Sequence, residues 1–186
     1  MKQHAFRIFG FLLPPLAYMA AIFWVSALPN PQIGVKAPDY LLHALEYFLL
    51  TLLLIRFFLS LPHAILLNLA SFVPCFKKRA ATFRAWHAAC LLGALVSMLY
   101  GVSDELHQYF TPGRHCSLSD VLADAFGSFL AYGIALLDYW LLARTSVHAR
   151  LLHHLKLFGR CSYVGEWIPK TCCLTKAHGS YPTFVE

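Results

Sequence analysis

Residues 85–106 read AWHAACLLGALVSMLYGVSDEL, and residues 118–142 read LSDVLADAFGSFLAYGIALLDYWLL; HQYFTPGRHCS joins them at 107–117. Each flank is long enough to cross a bilayer as a helix, which takes ~20 predominantly apolar residues. The joint holds Pro112-Gly113, a turn signal. The charges decide the reading. Asp104, Glu105, Asp120 and Asp124 crowd the ends nearest the joint, and no Asp, Glu, Lys or Arg interrupts either run again before Asp138 or after Arg84.

Two further apolar runs lie upstream. Phe6 to Leu28, flanked by Lys2 and Arg7, reads as a retained span. A signal peptide cleaved near Val25-Ser26-Ala27 competes, but its core would exceed the usual ~7–15 residues. Pro14-Pro15 is expected to interrupt the backbone ladder and kink that helix. Pro29 to Gly34 is a loop by its breakers. Tyr40 to Phe76, broken by Arg56 and Pro62, would measure ~55 Å as one helix, too long for a single crossing. It reads as a span over about Tyr40–Ser60, with Arg56 snorkelling near its end, and an interfacial or re-entrant extension over Pro62–Phe76. Two short spans in a hairpin are the alternative. The third and fourth spans are about Ala85–Leu106 and Leu118–Leu142.

Composition agrees. Of 186 residues 59% are hydrophobic and 13% charged, against ~45–50% and ~25% for a soluble domain. That balance rules against a soluble globular enzyme. The expected architecture is all-α: a polytopic bundle of four transmembrane helices over 1–143, followed by a basic, His- and Cys-containing tail over 144–186 with no periodicity and poor order. Cys75, Cys90, Cys116, Cys161, Cys172 and Cys173 lack the spacing of a disulfide framework or a common zinc motif and read as incidental thiols.

The basic residues set the orientation. Four spans put Lys2, Arg7, Lys77, Lys78, Arg79, Arg84, Arg144, Arg150, Lys156, Arg160, Lys170 and Lys176 on one side, and only Lys36 and Arg114 on the other. Both termini are therefore expected in the cytoplasm, in a multi-pass protein of the cell membrane. Asp39, Glu46, Asp104, Glu105, Asp120 and Asp124 fall at the outer ends of spans two, three and four.

Their spacing makes them a candidate site. Asp39, His43 and Glu46 follow i, i+4, i+7. Ser97, Gly101, Glu105 and Gln108 share a stripe with Asp104 beside it, and Asp120, Asp124, Gly127 and Ala131 share another. Charge facing lipid costs ~2.5–3.5 kcal/mol per residue, so these stripes are expected to face one another, with the small residues allowing close approach below. Arg114 and Ser117 sit in the closing loop, where Arg114 is a counter-ion for the carboxylates or for an anionic ligand. Glu105, Asp120, Asp124 and His43 are the candidate catalytic groups; Arg114, Gln108, Glu46, Asp39, Asp104 and Ser117 are the candidate ligand contacts. The oxygen-rich set suits Mg²⁺ or Ca²⁺, although no spacing is diagnostic of a metal. Two bland readings compete: wet boundary residues at span ends, and a structural salt-bridge cluster around Arg114.

The same residues carry a resemblance. Asp39-Tyr40-Leu41-Leu42-His43-Ala44-Leu45-Glu46-Tyr47 resembles the first motif of the VanZ-like family. Ser103-Asp104-Glu105-Leu106-His107-Gln108-Tyr109-Phe110-Thr111-Pro112-Gly113-Arg114, followed by Ser117, Asp120, Asp124 and Gly127, resembles its second. Where the family often has Lys after the first Asp, Tyr40 stands here. The resemblance spans roughly Phe6 to Ala143. It implies a small bacterial four-span membrane protein, from a family named for an accessory glycopeptide-resistance protein linked to teicoplanin.

Three functions follow as expectations. The first is an outward-facing site, enzymatic or purely binding, for a cell-envelope amphiphile such as a lipid-linked precursor or a lipoglycopeptide at the outer leaflet. The second is a non-catalytic structural or assembly role. The third is ion or proton movement, against which the apolar inner halves of the spans count. Membrane lipids are expected partners and nucleic acid is not.

Overall fold

The computed structural model describes residues 2–29, 38–71, 81–114 and 116–144. Helices α1 (Lys2–Ser26), α2 (Asp39–Leu59), α3 (His63–Ala70), α4 (Ala81–Tyr109) and α5 (Leu118–Arg144) make up the described chain, with no strand among the described residues. Four of them, all but α3, are long and apolar enough to cross a membrane, as composition and run lengths predict. The basic cluster Lys77-Lys78-Arg79, His115 and the tail beyond Arg144 lie outside the described residues. The chain divides into two units, Met1–Asp138 and Tyr139–Glu186; of the second, only the final helical turns of α5 are described. All that follows concerns the first.

The central pair is α2 against α4, with α1 laid on both and α3 on α4. Tyr47, Leu50, Thr51, Leu54 and Ile55 form the buried stripe of α2, at the spacing that puts side chains on one helix face. Ile22, with Tyr18 and Met19 beside it, brings α1 onto that stripe. Facing Ile55, α4 presents Gly93, where a Cβ would lie 2.7 Å from Ile Cγ1, so only glycine permits this approach. Large apolar residues such as Trp24, Leu99, Leu106 and Phe126 point outward, an unfavourable surface in water and a suitable one against acyl chains.

The differences from the sequence reading have local causes. α1 runs unbroken through Pro14 and Pro15, the latter fully buried, so the prolines do not end the helix. The segment after Pro62 forms the eight-residue α3. At 1.5 Å per residue it reaches ~12 Å, far short of a span, which removes the two-span hairpin. α4 extends past both expected ends to 29 residues, ~44 Å, so it outruns the hydrocarbon and its Asp104–Gln108 turn lies near one surface. Arg56 stacks its guanidinium over Phe11 at 5.2 Å, a cation–π contact with α1.

Candidate functional site

Local chemistry builds the end of the bundle where the polar residues gather. α4 closes into a turn at Thr111-Pro112-Gly113-Arg114: the Arg114 N–H donates to the Thr111 carbonyl at 3.2 Å, and Gly113 takes φ +81°, as the third position of a type II turn requires. α5 then starts behind Ser117, whose hydroxyl accepts the Ser119 N–H at 3.2 Å as an N-cap. Asp120, in the first turn of α5, and Asp39, in the first turn of α2, complement the positive ends of their helix dipoles.

Two small residues let the helices close. A Cβ on Gly127 would collide with the Ala44 carbonyl, so α5 meets the backbone of α2 directly. A Cβ on Gly101 would lie 2.9 Å from Asp124 Oδ2 and 3.1 Å from the Tyr47 ring, so α4 also admits side chains from both neighbours. Beneath, Ser128 donates to Ser97 at 3.1 Å, and Ser97 and Thr51 donate to the Tyr47 carbonyl at 3.3 and 2.8 Å. This ladder ties α2, α4 and α5 together under the cluster.

The cluster itself is buried. His43 Nδ1 lies 3.0 Å from Asp124 Oδ1, joining α2 to α5. Glu105 Oε2 accepts the Ser117 N–H at 3.1 Å, which fastens α4 to the closing loop. Asp104 Oδ2 accepts from Gln108 at 2.9 Å and from Ser26 at 2.8 Å, which brings in the end of α1. Glu105 and Asp124 are 2% and 1% exposed. One ligand-capable atom from each of His43, Glu105 and Asp124 lies within 4.8 Å of the others; Asp39, His43 and Asp120 form a second such trio. Asp104 Oδ1, Glu105 Oε1 and Asp124 Oδ2 are buried without a hydrogen-bond partner.

The candidate residues therefore divide. His43, Asp104, Glu105, Gln108 and Asp124 are buried together at one end of the bundle. Glu46 is half-buried on the same α2 face as His43, three residues on. Asp120 is half-buried and Asp39 exposed, while Asp104 is buried, so the wet-boundary reading fails for Asp104. Ser117 acts through its backbone N–H and spends its hydroxyl on the cap. Arg114 is half-buried and forms no ion pair with a described carboxylate, its Nε buried and unpartnered, so a salt-bridge cluster built around it is not what holds this end together. His107 turns away and stacks on Phe23 of α1, ring centroids 4.4 Å apart.

Sequence reasoning missed Ser26 and Tyr47. Ser26 ends an apolar run with no periodic signal around it. Tyr47 reads as a core aromatic on the α2 stripe; it is fully buried, but its hydroxyl has no partner and its ring edge reaches Gly101 beside Asp124. Toward the opposite ends of α4 and α5, Tyr132 and His87 hydrogen-bond at 2.7 Å, a polar pair in the halves of these helices that read as apolar.

No curated protein and no solved structure matches the chain. The VanZ/LLP1 family model matches residues 9–142, which runs from within α1 through nearly all of α5 and takes in every residue of the buried cluster. The chain is a membrane protein of the VanZ/LLP1 family.

Proposed function

We propose that this protein sits in the cytoplasmic membrane of a bacterium with both termini inside, and that its polar cluster faces the outer leaflet to bind or process a cell-envelope amphiphile. The convergence of buried His43, Glu105 and Asp124, with Arg114 of the closing loop forming no ion pair with a described carboxylate, carries the proposal. Burying acids in this way is costly, and a chain that needed only stability would place apolar residues there. Orientation rests on Lys2, Arg7 and Arg84, which fall at the helix ends away from the cluster.

Arg114 grips an anionic head group through its planar fork of donors. Gln108 and Asp104 frame the ligand, and Glu46, Asp39 and Ser117 line the entrance. If a reaction follows, Glu105, Asp120, Asp124 or His43 supplies the general base. The ligand classes are a lipid-linked precursor and a lipoglycopeptide. A link to teicoplanin-type resistance belongs to the same reading and predicts that expression in a susceptible host raises the tolerated teicoplanin concentration.

The test is binding by purified protein in detergent, with a polyprenyl phosphate and a lipoglycopeptide as separate probes and product analysis for turnover. Losing a charge-assisted hydrogen bond costs ~1.5–3 kcal/mol, so Arg114→Ala should weaken head-group binding ~10–100-fold. A second reading, structural or assembly, is favoured by one observation: Ser26–Asp104–Gln108 and His43–Asp124 tie α1 to α4 and α2 to α5. Equal or absent binding by wild type, Arg114→Ala and Glu105→Gln would leave that reading alone.

A further inference from the structure

Negative groups dominate this end of the bundle. Glu46, Asp104, Glu105 and Asp124 gather there with the His43 imidazole, and Arg114 forms an ion pair with none of them. An anionic head group brought to such a place meets repulsion unless another positive charge is present.

We infer that His43, Glu105 and Asp124 bind one divalent transition-metal ion of the Zn²⁺ or Mn²⁺ type at the head of the bundle. Acidic clusters are common without an ion, and three features separate this one. Glu105 and Asp124 are each 2% or less exposed and each keeps a buried oxygen without a hydrogen-bond partner, Oε1 and Oδ2. The third member is an imidazole, which suits Zn²⁺ over the all-oxygen shells of Mg²⁺ and Ca²⁺, while the two carboxylates also admit Mn²⁺. The three come from different helices, α2, α4 and α5, held close by Gly101 and Gly127.

The geometry is close to what such an ion needs. Their ligand-capable atoms lie within 4.8 Å of one another. Ligands at ~2.1 Å in a tetrahedral shell stand ~3.4 Å apart, so side-chain adjustments of about 1 Å complete the site. Three protein ligands leave a fourth position open, the arrangement of sites that act on a substrate. Asp39 and Asp120 stand near the same imidazole, where outer carboxylates orient a metal-bound histidine. The ion deepens the amphiphile reading, since its charge would let a phosphate approach the acids and occupy the open position.

The experiment uses full-length protein purified without a polyhistidine tag, stripped with chelator, and titrated with Zn²⁺, Mn²⁺ and Co²⁺. Wild type should take up one equivalent, with visible Co²⁺ absorption of the intensity that a four-coordinate N,O site gives. His43→Ala, Glu105→Gln and Asp124→Asn should each weaken Zn²⁺ by about 100-fold or more, since even outer-shell losses cost ~10–100-fold. Ser103→Ala, an exposed residue outside the site, should not. The Co²⁺ spectrum needs no variant, so a misfolded mutant does not blunt the test. Failure of wild type to hold any of the three ions, undiminished binding by all three site variants, or displacement of Zn²⁺ by equimolar Ca²⁺ would overturn the inference. Arg114→Ala separates the two proposals: metal uptake should persist while lipid binding falls. Metal uptake by wild type with no binding of either amphiphile would sink the functional reading and leave the ion site standing.

Discussion

Replacing Gly127 with alanine adds one methyl group to a helix yet should disable the site without touching a polar residue. The new Cβ would collide with the Ala44 carbonyl oxygen and lie 2.8 Å from its carbon and 3.1 Å from Ala44 Cα. These are backbone atoms and cannot rotate aside. Carbon pairs settle at ~3.5–4.0 Å, so α5 must retreat from α2 by about 1 Å. His43 precedes Ala44, and Asp124 lies one turn before Gly127; a 1 Å retreat stretches their 3.0 Å contact to ~4 Å, beyond hydrogen-bond range. Overpacking costs ~1–3 kcal/mol and a charge-assisted hydrogen bond another ~1.5–3, for a total of about 2.5–6 kcal/mol. Reversible unfolding in mixed detergent micelles, followed by tryptophan fluorescence, would measure it. Gly133→Ala on the same helix is the control. Nothing lies within 4 Å of its Cβ position, so better helix propensity should stabilise by ~0.5–1 kcal/mol. Because part of the Gly127→Ala cost runs through His43–Asp124, it should shrink in a His43→Ala background. A Gly127→Ala protein as stable as wild type, or one whose cost is the same in both backgrounds, would refute this account of the helix contact.

Three more outcomes follow from the geometry. His43→Ala and Asp124→Asn should each destabilise by about 3 kcal/mol, the lower end for breaking a buried pair, and the double variant should cost less than the sum, read as a double-mutant cycle in the same micelles. Ser26→Ala removes one of the two donors to Asp104 and should cost ~1.5–3 kcal/mol; an undisturbed melt would show that α1 does not hold the site. At the loop, local desolvation and then the Glu105 carboxylate push the Cys116 thiol above its ordinary value. The thiol therefore stays protonated at neutral pH and alkylates slowly, and the rate should rise as pH is raised toward its pKa. Glu105→Gln should speed alkylation at fixed pH, and an unchanged rate would count against this effect of the Glu105 charge.

The membrane fold was legible because the apolar runs of α1, α2, α4 and α5 carry their own length signal, and hydrocarbon thickness converts length into a span. α3 was harder: an eight-residue apolar helix after Pro62 looks in composition like part of a longer run, and only its packing on α4 defines it. Helical spacing was enough to forecast that Glu105, Asp124 and His43 face one another, because burying one charged stripe requires burying its partners. Spacing does not encode which pairs form. His43 meets Asp124 across two helices, and Arg114, the natural counter-ion by position, forms no ion pair with a described carboxylate. Ser26 was invisible for a similar reason: a serine at the end of an apolar run has no pattern of its own until α1 docks on α4.

The most direct measurement is an experimental map of the protein in a lipid nanodisc with a polyprenyl phosphate. The account predicts phosphate density at hydrogen-bonding distance from the Arg114 guanidinium, with His43, Glu105 and Asp124 beside it at the outer-leaflet end of the bundle. Head-group density elsewhere on the protein, or Glu105 and Asp124 turned apart toward acyl chains, would contradict it.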